Sequence, residues 1–104
     1  DQLLADATAA ESAGAWGVVL ECVPAEIASE ITTTISIPTI GIGAGPKCDG
    51  QVLVLHDLIG LSVDRIPRFV RSYADTKGTV LDAVTSWRQD VEAKTFPSEA
   101  EILA

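Results

Sequence analysis

The fold is decided by residues 16–45, which read WGVVLECVPAEIASEITTTISIPTIGIGAG. Trp16–Cys22 is an apolar run without alternation until Glu21, a pattern typical of a strand buried on both faces of a parallel sheet. Pro24 can begin a helix that has Glu26 in its first turn. Isoleucines then recur along one helical face, at Ile27, Ile31 and Ile35. The stretch therefore predicts a buried strand followed directly by a helix.

Two further apolar runs are predicted as strands. Pro38–Ile42 (PTIGI) reads as a second buried strand, and the glycines of GIGAG, residues 41–45, bracket its exit. Gln51–Leu55 (QVLVL) reads as a third. Only about eight residues separate the two, whereas a parallel crossover usually needs a dozen or more. Either the connection is unusually short or QVLVL belongs to a helix, and we predict the strand.

The rest of the chain is mainly helical in pattern. Residues 2–13 are rich in alanine, and Gly14 is a natural stop for that helix. His56–Leu61 is predicted as a loop and Ile66–Tyr73 as a helix.

A last helix is predicted from its cap and its apolar spacing. Thr79 with Asp82 resembles a capping box, and Phe96–Pro97 ends the helix. One apolar face follows a 4-3-4 spacing through Val80, Val84, Trp87 and Val91. The acidic tail 98–104 is expected to be loosely held.

Strands that alternate with helices imply an α/β fold with a parallel sheet. Three strands make a poor sheet alone, because both faces and both edges need cover. The 104 residues contain no Met and begin with Asp1, although translation begins with Met. We therefore expect the chain to be processed, cleaved or part of a larger α/β unit.

Composition excludes several classes of function. Seven basic and 15 acidic residues give a formal net charge of -8, which repels nucleic-acid phosphates and disfavours anionic membrane surfaces. No apolar run reaches the roughly 18 residues of a membrane span, and no signal segment opens the chain. Two cysteines do not make a disulfide scaffold. We expect a cytoplasmic protein that binds neither nucleic acid nor membrane.

Glu21 is the strongest candidate for chemistry. It closes the run 18–20, and α/β proteins place catalytic groups at the carboxyl ends of parallel strands. Partial burial would suit this carboxylate to act as a general base near neutral pH. The alternative is a structural acid paired with an arginine.

The glycines of residues 41–45 have G-x-G-x-G spacing, not the dinucleotide fingerprint, and no P-loop signature follows. We interpret them as a tight turn that needs positive φ, with backbone contact to a ligand as the alternative. His56, the single histidine, precedes Asp57, and Asp49 lies just before the third predicted strand. These groups leave a structural role or a ligand contact open, and they make only a weak metal site.

The cysteines and a row of arginines complete the candidates. Cys22 could pair with His56 as a nucleophile, but buried, inert thiols at Cys22 and Cys48 are the preferred interpretation. A basic row at intervals of three, on one face of the helix predicted around Ile66–Tyr73, would either bind an anionic group or pair with a neighbouring subunit. It consists of Arg65, Arg68 and Arg71.

Several motifs together resemble a known family. VLECVPAEIASEIT, then IPTIGIGAGPKCDGQVLVLHDLIG, then IPRFV resemble the C-terminal part of the ketopantoate hydroxymethyltransferases. The resemblance runs from about Asp1 to Pro97 and is most specific over Leu20–Gly60.

The resemblance implies a (β/α)8 TIM barrel of the phosphoenolpyruvate mutase/isocitrate lyase type, with residues 1–97 as its C-terminal part and about its last three strands. It implies transfer of a hydroxymethyl group from 5,10-methylenetetrahydrofolate to 3-methyl-2-oxobutanoate, giving 2-dehydropantoate in pantothenate biosynthesis. The family's proton acceptor maps onto Glu21, and His56 and the GIGAG backbone would line the barrel mouth.

The resemblance also implies Mg²⁺ bound to the 2-oxo acid and a large homo-oligomer, often a decamer. The family's magnesium ligands lie on N-terminal strands, so no residue of this chain maps onto a metal ligand. The helix with Trp87 would be a subunit contact. Two other functions stay open: a non-catalytic half-barrel that acts as a binding or assembly module, and a hydrolase built on Cys22 and His56.

Overall fold

The computed structural model describes residues 1–103 and shows an α/β chain with a three-stranded parallel sheet. The strands β1 (Val18–Glu21), β2 (Thr39–Ile42) and β3 (Gly50–Gln51) lie side by side in that order. The α-helices are α1 (Gln2–Ser12), α2 (Ala25–Thr34), α3 (Leu55–Leu58) and α4 (Thr76–Glu92), and a 3-10 turn spans Glu99–Glu101. The predicted α/β class and the three parallel strands are confirmed.

The chain divides into two compact units. The first comprises Asp1–Val54 together with Pro67–Val70, and it holds the sheet, α1 and α2. The second comprises Leu55–Ile66 and the chain from Arg71 onward, and it holds α3, α4 and the 3-10 turn.

In the first unit, α1 and α2 cover one face of the sheet. Their contact with the strands buries a small core of Ala7, Leu20, Ala28, Ile31, Ile35 and Ala44. Successive strand residues point to opposite faces, so Leu20 faces the helices while its neighbours Val19 and Glu21 face the other way. Val19 is 62% exposed, and Glu21 is exposed. The second face of the sheet is therefore open in this chain.

The boundaries of α1 and α2 follow the sequence signals. The Asp1 carboxylate caps α1 by accepting a hydrogen bond from the Leu3 N–H at 2.9 Å. Gly14, at φ +97°, turns the chain after α1, as predicted. Pro24 is the N-cap of α2 and Glu26 lies in its first turn, also as predicted.

The connection from β2 to β3 is short because β3 starts level with the middle of β2, where Ile40 pairs with Gly50. A side-chain network holds this arrangement. The Asp49 carboxylate accepts from the Thr39 N–H at 2.9 Å, and the Thr39 hydroxyl accepts from the Asp49 N–H at 3.1 Å. The fully buried Thr39 hydroxyl also lies 2.8 Å from that of Thr32 on α2. These bonds hold the short connection in place, and no crossover helix lies between β2 and β3.

Three sequence predictions are wrong in detail after β2. Of QVLVL only Gln51 lies in a strand, together with Gly50. The loop predicted over His56–Leu61 contains most of α3, and no helix forms over Ile66–Tyr73. Two features oppose a helix here. Pro67 has no backbone N–H to donate, and the Tyr73 N–H donates to the Leu58 carbonyl at 2.7 Å instead of to a carbonyl one turn earlier in a helix. Since this helix is absent, the three arginines do not form one helical face.

The last helix begins earlier than predicted. Asp75, not Thr79, is the N-cap of α4, and its carboxylate accepts from the Gly78 N–H at 3.1 Å. The Thr79 hydroxyl instead donates to the Asp75 carbonyl at 3.1 Å. The apolar side chains on this helix, Val80, Val84, Trp87 and Val91, are exposed. The helix ends at Glu92, before the predicted stop at Phe96–Pro97.

The segment predicted as the tail, residues 98–104, contains the 3-10 turn Glu99–Glu101. Ala104 lies outside the described residues. The Ser98 N–H and hydroxyl both donate to the Glu101 carboxylate at 2.6 Å. These two bonds hold the pKa of Glu101 below its ordinary value. Within residues 1–103, none of the helices is both long and apolar enough to cross a membrane.

Candidate active site

Glu21 is the last residue of β1, at the carboxyl end of the sheet. It pairs in register with Ile42, the last residue of β2. The partial burial expected for Glu21 is not found, because the side chain is exposed on the open face of the sheet. The single ion pair among the described residues joins Arg88 to Glu92, so Glu21 has no arginine partner there. Within residues 1–103, Glu21 is therefore not a structural acid held by an arginine.

The residue after Glu21 has an unusual backbone. Cys22 has φ +54°, in the left-handed region that non-glycine residues rarely adopt. Its N–H donates to the Ile42 carbonyl at 2.9 Å, which keeps it attached to the sheet. Such conformations cost of order 1–3 kcal/mol and cluster at functional sites, where the surrounding structure holds them. The turn at Cys22 thus fixes the end of β1 where Glu21 is presented.

The glycine loop after β2 lies beside this turn. Gly43 and Gly45 have φ +66° and +78°, which confirms the predicted need for positive φ. A Cβ on Gly45 would lie 2.5 Å from the Ala25 Cβ, and one on Gly43 would lie 2.7 Å from Phe69 Cδ1. No larger residue fits either position without movement of its neighbours, so the loop is wedged between α2 and Phe69.

Gln51 holds the same loop from the side of β3. Its side-chain Nε2 donates to the Gly45 carbonyl at 2.9 Å. The amide passes close to Gly41, where a Cβ would lie 3.3 Å from Gln51 Nε2 and 2.9 Å from Cys48 Sγ. This role of Gln51 was not predicted from the sequence. The available signal was Gly41 itself, because a glycine inside a strand often marks a close approach by another group.

A cavity of about 560 Å³ opens where β1 and β2 end. Its walls are mostly small or apolar, and Arg68 is the only charged residue among those that line it. The lining includes Cys22, Val23, Pro24, Gly43, Gly45 and Phe69. From the sequence, Arg68 was a candidate only as a member of the basic row, and Phe69 was not predicted as a site residue.

A second groove, of about 380 Å³, follows the free edge of β1. Leu3 and Ala7 of α1 line it on one side, and Val19 and Glu21 of β1 line it on the other. The groove lies where a further strand of the sheet would pair with β1.

The remaining candidate residues are two free thiols, an exposed imidazole and two hydrogen-bonded carboxylates. Cys22 is exposed and Cys48 is half-buried, both as free thiols, so the expected burial is wrong for Cys22. His56 is exposed on α3 in the second unit, whereas Cys22 belongs to the first, and their pairing stays a prediction. The Asp57 carboxylate accepts from the Ser62 hydroxyl at 2.7 Å, and Asp49 serves the Thr39 network.

The described residues form no group of three or more His, Cys, Asp or Glu side chains that could hold a metal ion. The donor set for Mg²⁺, which prefers several oxygen ligands in octahedral geometry, is therefore not met by residues 1–103 alone.

Comparison with known proteins gives a consistent result. Residues 1–99 match the family model described as ketopantoate hydroxymethyltransferase. The chain is 54% identical over 101 residues to the 3-methyl-2-oxobutanoate hydroxymethyltransferase of Chlorobium phaeobacteroides, covering 97% of this chain and 36% of that protein. The like-named protein of Geotalea daltonii is 56% identical over 99 residues, with coverages of 95% and 37%, and that of Salinibacter ruber is 55% identical over 101 residues, with 97% and 38%. The chain thus spans little more than a third of these curated relatives.

Proposed function

The chain belongs to the ketopantoate hydroxymethyltransferase family, and we propose that it contributes the general base to that family's reaction. In this proposal a hydroxymethyl group passes from 5,10-methylenetetrahydrofolate to 3-methyl-2-oxobutanoate, and 2-dehydropantoate is formed for pantothenate biosynthesis. The observation that carries the proposal is the position of Glu21. Its carboxylate ends β1 on the open face of the sheet and has no ion-pair partner within residues 1–103.

The open face supports a closed barrel as the complete architecture. In a (β/α)8 barrel the helices cover the outside of the sheet, and the other face turns inward. Here α1 and α2 cover one face only, and β1 has a free edge with a groove beside it. We infer that residues 1–97 are the C-terminal part of a TIM barrel of the phosphoenolpyruvate mutase/isocitrate lyase type. The tail 98–104 then lies outside it.

Glu21 would act on the 2-oxo acid by accepting the proton at C3. The C3–H electron pair moves into the enolate, and C3 then attacks the one-carbon unit of the folate. In the overall reaction the one-carbon unit loses both of its bonds to folate, at N5 and N10, and gains one bond to C3 and one to the oxygen of a water molecule. The C3 proton and one proton of that water replace the carbon on the two nitrogens, so that tetrahydrofolate is released. Closure of the barrel would place Glu21 at its carboxyl-end mouth, where the excluded water would strengthen general-base catalysis.

The remaining properties belong to the complete protein. Magnesium, which the family resemblance implies, would be held by residues outside this chain, because residues 1–103 form no site for it. A cytoplasmic homo-oligomer, of decamer size, is proposed on the same resemblance, with α4 as a subunit contact because its apolar side chains are exposed.

A graft tests the proposal on a complete protein. The chain replaces the matching segment of the Geotalea daltonii relative, to which it is 56% identical. We expect this grafted enzyme to form 2-dehydropantoate from the two substrates. It should also exchange the C3 hydrogen of the 2-oxo acid with D₂O in the absence of folate. If a folded graft performs neither reaction, the proposed function is wrong.

Glu21→Gln in the graft tests the role of the carboxylate. The amide keeps the shape but cannot accept a proton, so we expect both turnover and C3 exchange to fall by about 10²- to 10⁴-fold. Glu26→Gln is the matched control, an exposed acid in the first turn of α2, and it should leave both rates unchanged. Equal rates in the Glu21→Gln and Glu26→Gln enzymes would contradict the assignment.

One observation favours a second function, an assembly module without catalysis. The free edge of β1 and the exposed Val19 offer a surface for another strand. If this second function is correct, the graft should fold but be inactive. The 104-residue chain should still associate with its partner through β1. The C3 exchange measurement separates the two proposals.

A further inference from the structure

The cavity at the carboxyl ends of β1 and β2 has a distinctive chemistry in an acidic chain. Fifteen acidic residues stand against seven basic ones, yet no acid lines this cavity, and its one charge is Arg68. Arg68 forms neither an ion pair nor a side-chain hydrogen bond with any of residues 1–103. Its guanidinium is thus a free anion-binding group beside a mainly apolar wall.

Phe69 gives that wall its form. The ring packs over Gly43, where an added Cβ would lie 2.7 Å from the ring. This contact holds Phe69, and with it the adjacent Arg68, against the glycine loop. Phe69 nevertheless keeps 39% of its surface exposed. One part of the ring is therefore packed against the glycine loop, and the remainder is available to a ligand. Aromatic rings favour flat aromatic partners.

The position and the size of the cavity limit what can bind. Cys22, which lines the cavity, directly follows Glu21. The volume of about 560 Å³ falls within the range of cofactor-sized ligand sites, roughly 300–1,000 Å³, and exceeds what a five-carbon 2-oxo acid needs. A ligand that matches this site has a flat aromatic body and a carboxylate at a distance from its reacting atom.

We propose that this cavity binds the aminobenzoyl-glutamate part of the folate co-substrate, with the aminobenzoyl ring against Phe69 and a glutamate carboxylate on Arg68. The proposal rests on the proposed function, because it names the place of that reaction's one-carbon donor. Arg68 is a specificity-determining residue in this scheme, and it takes no part in the proton transfer at Glu21.

A ligand–residue cycle in the grafted enzyme tests the contact without relying on turnover. Dissociation constants are measured for tetrahydrofolate and for tetrahydropteroate, which lacks the glutamate, with the wild-type graft and with Arg68→Gln. We expect either change alone to weaken binding about five- to tenfold, the effect of losing one partly exposed charge-assisted hydrogen bond. The two changes together should weaken it no further, because both remove the same contact.

Controls separate the contact from structural effects. Arg68→Lys retains the charge and should restore part of the tetrahydrofolate affinity. Arg65→Gln removes an exposed arginine that does not line the cavity and should change neither constant. C3 exchange on the 2-oxo acid should also remain at the wild-type rate in Arg65→Gln.

The possible results separate the folate contact at Arg68 from the proposed reaction. If Arg68→Gln and removal of the glutamate weaken binding independently, so that their effects on the dissociation constant multiply, the contact is refuted. An increase in KM for the 2-oxo acid alone would also refute it, because that result would place the carboxylate of the 2-oxo acid on Arg68. A graft that binds tetrahydrofolate with the expected cycle but forms no 2-dehydropantoate would retain the site and refute the proposed reaction.

Discussion

Gly45→Ala should destabilise the protein more than the same change at another left-handed glycine. Gly45 and Gly14 have φ +78° and +97°, so alanine is strained at both. At Gly45 a Cβ would lie 2.5 Å from the Ala25 Cβ, whereas at Gly14 it would meet nothing within 4 Å. Gly14→Ala therefore isolates the backbone cost, and Gly45→Ala adds a steric cost against α2.

The magnitudes follow from these two terms. A left-handed alanine costs about 1–2 kcal/mol, and forcing an extra methyl into packed surroundings costs about 1–3 kcal/mol. We expect Gly14→Ala to lower the free energy of unfolding by about 1–2 kcal/mol and Gly45→Ala by about 2–5 kcal/mol. Loss of glycine flexibility in the unfolded chain affects both variants equally and cancels in their difference.

Urea unfolding of the grafted enzyme, followed by far-ultraviolet circular dichroism, gives these free energies. A third variant tests the cause, because Ala25→Gly removes the methyl that the new side chain would meet. Combined with Gly45→Ala, it should recover about 1–3 kcal/mol beyond the sum of the single effects. Equal losses for Gly14→Ala and Gly45→Ala, or no recovery with Ala25→Gly, would refute the packing of the glycine loop against α2.

Two further predictions concern polar networks. Thr39→Val leaves the Asp49 N–H without its hydroxyl acceptor, so we expect the free energy of unfolding of the graft in urea to fall by about 1–3 kcal/mol. Thr33→Val is the exposed control, because its hydroxyl bonds only within α2, and it should change that free energy by no more than about 0.5 kcal/mol. Similar losses in the two variants would show that the Thr39 network contributes little. Ser98→Ala removes the hydroxyl donor but keeps the backbone N–H, so it should raise the pKa of Glu101 only part of the way to its ordinary value in an NMR titration. Because the folded pKa is lowered, the turn's stabilisation is present above the ordinary value and is lost as pH falls through the lower one. An unchanged pKa would exclude the Ser98 hydroxyl as a cause.

The first unit was predictable because local pattern and tertiary structure agree there. The apolar run before Glu21 correctly indicated a strand, although its predicted burial on both faces is wrong for this chain, in which Leu20 is buried and Val19 is exposed. Pro24 with Glu26 marks the start of α2 from the chain itself. Positive φ at Gly43 and Gly45 was likewise readable, because only glycine adopts it without strain.

What failed depended on partners distant in sequence. The segment 66–73 has a helical pattern, but Tyr73 bonds to Leu58, and Pro67 cannot continue a ladder of hydrogen bonds. The pattern of QVLVL could not reveal that β3 ends at Gln51. The cavity chemistry of Arg68 and Phe69 was also out of reach, because it depends on which loop the ring packs against.

The network between Thr39 and Asp49 determines where the chain could vary in length. Both ends of the connection 43–49 are tied, by β2 at one end and by the Asp49 bonds at the other, and Gln51 holds its middle. An inserted residue there would have to break one of these ties or displace Phe69. The turn at Gly14 has open space around it, so an extra residue there costs little more than loop entropy. Relatives of different length should accommodate the difference at the turn between α1 and β1 and leave the glycine loop unchanged.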